Sequence, residues 1–270
     1  AIDLYSGRLK VSDEELRQYQ VRVAAQAEPV IVKPISVILM GQVNAGKSSL
    51  LNALGEQSVA EIDVIKSSDR VVRHRLQLTD KLEVELVDTP GIDGEARTEK
   101  LLLRESAQAD LVLWLSQANQ PAKELDRRLY AQWDEYFCCH PERRRPPILL
   151  VSTHNDRLPP ATEWQPPYDL KEGKGSKVAS MRDALAYIQQ SLQLPADSSA
   201  VAISVGPQGC YNVDTVRSLI ESLAEEARAS QLNKDRVLAA GEGLVRTTWR
   251  QLRGMGRVMG RLAREKSGPA

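Results

Sequence analysis

The stretch Gly41-Gln42-Val43-Asn44-Ala45-Gly46-Lys47-Ser48 has residue types and a spacing suited to one kind of chemistry, the capture of a phosphate chain. Gly41 and Gly46 let backbone N–H groups turn inward around an anion, and a helix starting where the loop ends adds its dipole. The amides of Asn44, Ala45, Gly46, Lys47, Ser48 and Ser49 are the expected donors. Lys47 can reach β- and γ-phosphate oxygens, and the Ser48 hydroxyl is a Mg²⁺ ligand. A chance glycine turn before a helix is the bland alternative. It leaves unexplained the apolar run ISVILM over 35–40 in front of the loop and SLLNAL over 49–54 behind it, a buried strand and a helix. The chain is expected to bind a nucleoside phosphate.

Two further segments bear on which one. The run LEVELV over 82–87 alternates like a half-exposed strand and ends in Asp88-Thr89-Pro90-Gly91. An Asp at a strand end beside the phosphate loop can hold Mg²⁺ directly or through water. The Gly91 N–H is placed to meet a γ-phosphate oxygen. In isolation, Asp-Thr-Pro-Gly is only a turn after a strand; downstream of a phosphate loop it gains meaning. Farther on, ILLVS over 148–152 is a second buried strand, running into Thr153-His154-Asn155-Asp156.

On these motifs the chain resembles the translation-factor class of P-loop GTPases, in particular the Era/TrmE-like group, over residues 35 to 230. Its GQVNAGKSSLLNAL is similar to the TrmE-type loop and helix, with Val43 where that group often has Pro. The resemblance implies guanine as the base and GTP and GDP as ligands. Thr153 and Asp156 match the first and last positions of the family's guanine-reading motif, and Asp156 would accept from guanine N1–H and the exocyclic amine. His154 departs from the family Lys, whose stem packs over the base, so weaker affinity is expected. A second guanine loop is expected at Ser204 and Val205, with the Val205 N–H facing guanine O6. Asn44 stands where TrmE-like proteins carry an Asn that helps bind K⁺. Its plain alternative is an Asn that tolerates an unusual loop backbone.

The family's first switch normally offers a Thr to Mg²⁺, and none occurs between Gly55 and Arg75. Ser68 is the expected substitute, though a solvated loop with idle serines fits as well. Ile92 follows the Asp-Thr-Pro-Gly, where Ras-type enzymes have a water-positioning Gln, so slow turnover is expected.

The composition is compatible with these motifs. Length allows one large domain plus additions. Lys and Arg total 36 and so do Asp and Glu, so no overall basic field favours nucleic acid. Cys138, Cys139 and Cys210 form no disulfide framework, which suits a reducing, cytoplasmic setting. Cys138-Cys139-His140 has the wrong spacing for zinc. No apolar run reaches the length of a membrane span. A first residue of Ala rather than Met suggests processing or a longer parent chain.

Three parts are expected. Residues 1–34 form a helical extension, with a capping box at Ser12 and Glu15. Residues 35–230 form the GTPase domain. Strands at Val71–Leu78 and 82–87 pair antiparallel through Thr79-Asp80, a buried strand spans Asp110–Ser116, and helical stripes run through Leu129, Met181 and Val216. Strands alternating with helices imply an α/β fold, a Ras-like, mostly parallel sheet covered on both faces, with ligand at the strands' carboxyl ends. Residues 159–176 read as a long surface loop. Residues 231–270 form a basic amphipathic helix with Arg246, Arg250, Arg253, Arg257, Arg261 and Arg264 on one stripe. That stripe suits an anionic membrane surface on the cytoplasmic side. A helix docked on the GTPase domain and an arginine face that tracks nucleic-acid phosphates fit the same pattern. The expected activity is Mg²⁺-dependent GTP hydrolysis as a slow switch aided by K⁺, an activating protein or a homodimer. The alternatives are a recruitment module with little turnover and an ATPase.

Overall fold

A computed structural model describes residues 33–56, 63–68, 71–80, 82–195, 198–206 and 209–238. The expected N-terminal capping box and the C-terminal arginine stripe lie outside the described residues. Seven strands form one sheet in the order β2-β3-β4-β1-β5-β6-β7. They are β1 (Ile35–Met40), β2 (Asp63–Ser68), β3 (Val71–Thr79), β4 (Leu82–Asp88), β5 (Leu111–Gln117), β6 (Ile148–Thr153) and β7 (Ala200–Ala202). β3 runs antiparallel to both β2 and β4, and β4, β1, β5, β6 and β7 pair in parallel. β1 and β5 are apolar almost throughout because both faces of a parallel sheet are covered.

Helices α1 (Lys47–Glu56) and α5 (Val213–Ser222) cover one face. There Leu50, Leu54, Val216 and Ile220 pack on Leu39, Leu113 and Val151. Helices α2 (Ala96–Ser106), α3 (Glu124–Cys139) and α4 (Ser176–Ser191) cover the other. Here Leu102, Leu129, Trp133 and Ile188 meet Ile38, Met40, Trp114 and Leu150. Every parallel strand therefore delivers its carboxyl end to one rim, where Gly41, Asp88 and Thr153 all sit.

Four features depart from the sequence-based expectation. Residues 63–68 form the edge strand β2, so Ser68 ends a strand, in register with Val71, and is not in a loop. β-Branched Val64 and Ile65 favour that state. Helix α2 has no counterpart among the expected elements, because Leu101, Leu102 and Leu103 form a block and show no helical spacing. A small hairpin, β8 (Ser204–Gly206) with β9 (Gly209–Tyr211), follows β7. Residues 159–176 are not a free loop. They contain a 3-10 turn at Ala161–Glu163, and Trp164, Tyr168 and Leu170 pack on Leu158, Met181 and Tyr211.

A sixth helix, α6, runs over residues 224–238. The domain boundary expected at 230/231 falls inside it. Gln231 and Lys234 continue the docking by donating to the buried Asp110 carboxylate at 3.1 and 2.8 Å. No helix among the described residues is long and apolar enough to cross a membrane.

Candidate functional site

The loop from β1 to α1 adopts the backbone its glycines permit. Gly41 has φ +150°, and a Cβ there would lie 2.2 Å from the Leu115 carbonyl oxygen. Asn44 and Gly46 are left-handed at φ 65° and 87°. Asn44 is thus the residue that tolerates a conformation L side chains rarely adopt. The Lys47 ammonium folds over the loop, donating to Gly41 O at 3.1 Å and Gln42 O at 3.2 Å. An ammonium has three hydrogens, so one remains for a ligand. Burial pushes the Lys47 pKa down, and the Asp88 and Asp126 carboxylates oppose that.

In the first turn of α1, the Ser48 hydroxyl stands 3.5 Å from Asp88 Oδ2. Asp88 Oδ1 is buried with no hydrogen-bond partner. A carboxylate with one orphaned oxygen and a hydroxyl near the other is the donor chemistry of Mg²⁺, a hard cation that takes its remaining ligands from phosphate and water. Among the described residues no group of three or more His, Cys, Asp or Glu is arranged for a metal, and Cys138 and Cys139 are exposed free thiols. The side chain of Ser68 lies outside the described residues.

Gly91 rests directly on the loop, since a Cβ there would lie 2.5 Å from Val43 Cα. The next residue seals the contact: the Ile92 N–H donates to Gly41 O at 3.0 Å, and the Val43 N–H to Ile92 O at 3.4 Å. The Ile92 side chain is 2 % exposed and points into the core, so it offers nothing to a water.

The residues expected to read the base are assembled from more distant pieces. Thr153 Oγ1 donates to Ala45 O at 2.9 Å, tying β6 to the phosphate loop. Asn155, fully buried, donates to Ser152 O and Ile203 O, both at 2.8 Å. His154 is left-handed at φ 56°. Its Nδ1 lies 3.0 Å from Thr153 Oγ1, and its pKa is held down by burial and by Arg157, against Asp156. Ser204, buried, donates to Asp156 Oδ1 at 2.6 Å, which aims the carboxylate. Val205 sits beside it in β8, paired with Cys210.

Several supporting contacts have no signature in the sequence. Gln117 Nε2 donates to Asn44 O at 3.0 Å. The Gln42 side chain donates to Asp126 Oδ2 at 2.6 Å, and Trp114 Nε1 donates to Asp126 Oδ1 at 3.1 Å. Burial raises the Asp126 pKa against those bonds and the Lys123 and Lys47 charges. Lys123, donating to Gln117 O at 2.6 Å, is pushed by burial down to about 8, opposed by Asp126. The one available signal is the polar run from Gln117 to Lys123 after an apolar strand.

Residues 36–153, from β1 to the end of β6, match the family model described as 50S ribosome-binding GTPase. Over 262 residues the chain is 31 % identical to the tRNA modification GTPase MnmE of Sinorhizobium medicae, covering 90 % of this chain and 52 % of that protein. The matched residues form a P-loop GTPase domain, and the chain is similar over most of its length to MnmE-type GTPases. The relatives that it matches are named as GTPases. GTPase Der of Campylobacter hominis is 38 % identical over 109 residues, 36 % of this chain and 23 % of that protein. Among solved structures, a variant of Aquifex aeolicus Era bound to GDP.AlF4- is 20 % identical with a TM-score of 0.47, covering 70 % of this chain and 56 % of that chain. The chain spans about half the length of that MnmE protein and about a quarter of that Der protein.

Proposed function

We propose that residues 35–230 form the domain of a slow, Mg²⁺-dependent switch that selects guanine through Asp156 and alternates between GTP and GDP. The observation that carries this proposal is the Ser48 hydroxyl 3.5 Å from Asp88 Oδ2, with the other oxygen of that carboxylate, Oδ1, buried and unpartnered. The loop amides from Asn44 to Ser49 and Lys47 would hold the phosphates. Ser48 and Asp88 would hold Mg²⁺, which when bound draws charge from the phosphate oxygens, and Ser68 is the first switch's candidate ligand. Thr153 and His154 frame the base, Ser204 orients Asp156, and the Val205 N–H is the candidate donor to O6. Gly91, seated on Val43, is the residue that would register the γ-phosphate.

Phosphoryl transfer asks mainly for positioning and charge stabilisation. With Ile92 in the core, the domain lacks a side chain there to align water, so a slow intrinsic rate is expected. Asn44 is the candidate K⁺ ligand that would supply extra positive charge; an activating protein or a homodimer is the other source. Phosphate release under saturating GTP, in KCl and in NaCl at matched ionic strength, tests these roles for the unmodified protein and Asn44→Ala. Stimulation by K⁺ that disappears in the variant supports Asn44. Equal rates in both salts would overturn the K⁺ role and leave a partner as the source of catalysis. No release with Mg²⁺ in either salt, alone or with partners, would favour the recruitment module.

Recruitment to an anionic membrane rests on the arginine stripe at 246–264 and would require salt-sensitive sedimentation with acidic liposomes. The exposed free thiols Cys138, Cys139 and Cys210 fit a cytoplasmic setting.

A further inference from the structure

We propose that Lys177, in the first turn of α4, is a positioning residue for guanine recognition that fixes the backbone beneath Asp156. The inference rests on Asp156 being the base-reading residue. Lys177 is 3 % exposed, an uncommon state for a lysine. Its ammonium donates to Asp156 O at 3.0 Å and to Leu158 O at 2.6 Å, the two carbonyls that flank Arg157. The ring of Trp164 lies 5.3 Å from the nitrogen and closes the remaining side. A charge removed from water is costly unless its hydrogens are satisfied. Here the carbonyls and a π face satisfy them, and the carbonyls belong to the turn that carries Asp156.

Asp156 is thereby held from three directions. Asn155 stitches the preceding residue to β6 and to Ile203, just past β7. Ser204 fixes one carboxylate oxygen. Lys177 fixes the carbonyl of Asp156 itself, from a helix 21 positions on. The 3-10 turn at Asn155–Arg157 is only three residues long, and its N-cap, His154, makes no capping hydrogen bond with its side chain. Without Lys177 the Asp156 peptide would keep the Arg157 N–H bond to His154 O at 3.1 Å but lose the bond at its carbonyl, and the carboxylate would aim less well at two donors on one base edge. The segment between them belongs to the same assembly. Trp164 packs edge-on against Tyr211, and Glu163 accepts from Ser176 Oγ at 2.6 Å.

The test compares GDP with IDP, which lacks the exocyclic amine that Asp156 would accept from, in the unmodified protein and in Lys177→Met. Binding is read by calorimetry and the nucleotide-free melting temperature is recorded alongside. A well-aimed Asp156 should favour GDP over IDP by about tenfold, the worth of one good hydrogen bond. Lys177→Met should bring that ratio close to one, and Lys177→Arg should restore part of it. If the methionine variant does not fold, Lys177→Gln is read in the same way, with a reduced ratio expected. A folded variant that keeps the full ratio overturns the proposal. So does a parallel loss of GDP and IDP affinity with a lower melting temperature, the signature of a loop staple only. Asp156→Asn separates the two levels. If it erases the preference while the Lys177 variants keep it, Asp156 reads the base and Lys177 does not position it. If the unmodified protein binds GDP and ADP equally, the Asp156 role fails and the Lys177 role with it.

Discussion

The two ends of the proposed nucleotide site are built on different principles. The phosphate end is made of backbone: eight consecutive residues, three of them at positive φ, with one lysine folded over its own loop. The base end is made of side chains from β6, β8 and α4 that meet only in the folded chain. A backbone site depends on what cannot be added to it, as at Gly41 and Gly91. A side-chain site depends on what holds each group in place. The first should fail by loss of fold or of all nucleotide affinity, the second by loss of discrimination.

The sharpest break in this contrast is Gly41→Ala. A methyl group would meet the Leu115 carbonyl at 2.2 Å on a backbone at φ +150°. A loss of roughly 3–5 kcal/mol is expected from combined strain and overpacking. Urea denaturation without nucleotide would measure it, and an unchanged midpoint would show that the loop relaxes freely.

Next in size is Lys47→Ala. Removing a charge-assisted contact to phosphate should cost roughly 1.5–3 kcal/mol per bond. GTP and GDP affinities should fall with the preference over ATP and ADP unchanged, as competition binding would report. A changed base preference would mean that the two ends are coupled.

Asp156→Asn should cost roughly 1.5–3 kcal/mol for guanine nucleotides and shift preference toward xanthine nucleotides. Unlike Lys47→Ala, it should change the ranking of bases. If GTP affinity falls and xanthine nucleotides gain nothing, the contrast between the two ends fails at this residue.

The smallest effect concerns His154. Its folded pKa is depressed by burial and by Arg157, against Asp156. Below the unfolded value of about 6.5 the unfolded chain binds the proton more readily. This contribution to stability is therefore fully present above that pH and is lost as pH falls toward the folded value. Urea midpoints at pH 7.5 and 5.5 should differ less in His154→Gln than in the unmodified protein. An equal pH dependence would assign the loss to other groups.

The same contrast explains what the sequence discloses. The phosphate loop is legible because its chemistry is local: spacing, glycine and one lysine specify it. The sheet is legible because strands buried on both faces, such as ISVILM and DLVLWLS, have few other places to go. The edge strand β2 is hidden because Asp63, Lys66 and two serines dilute its apolar signal. Helix α2 is hidden because its three leucines are contiguous. At the base end, Thr153 and Asp156 are visible as a tetrapeptide, but the Thr153 hydroxyl is committed to Ala45. The partners of Asp156 stand 21 and 48 positions away. Asp126 meets Gln42 across 84 positions. Nothing in local composition links such pairs.

Ile92 has an optical consequence. Its side chain shares one buried cluster with Trp114 and Trp133, while its backbone is bonded to the phosphate loop. Any displacement of Gly91 by a γ-phosphate pulls on a residue that packs in the same cluster as two indoles. The protein thus contains its own fluorophores at the far end of a short lever, and emission from the core is the expected label-free report on the state of the loop.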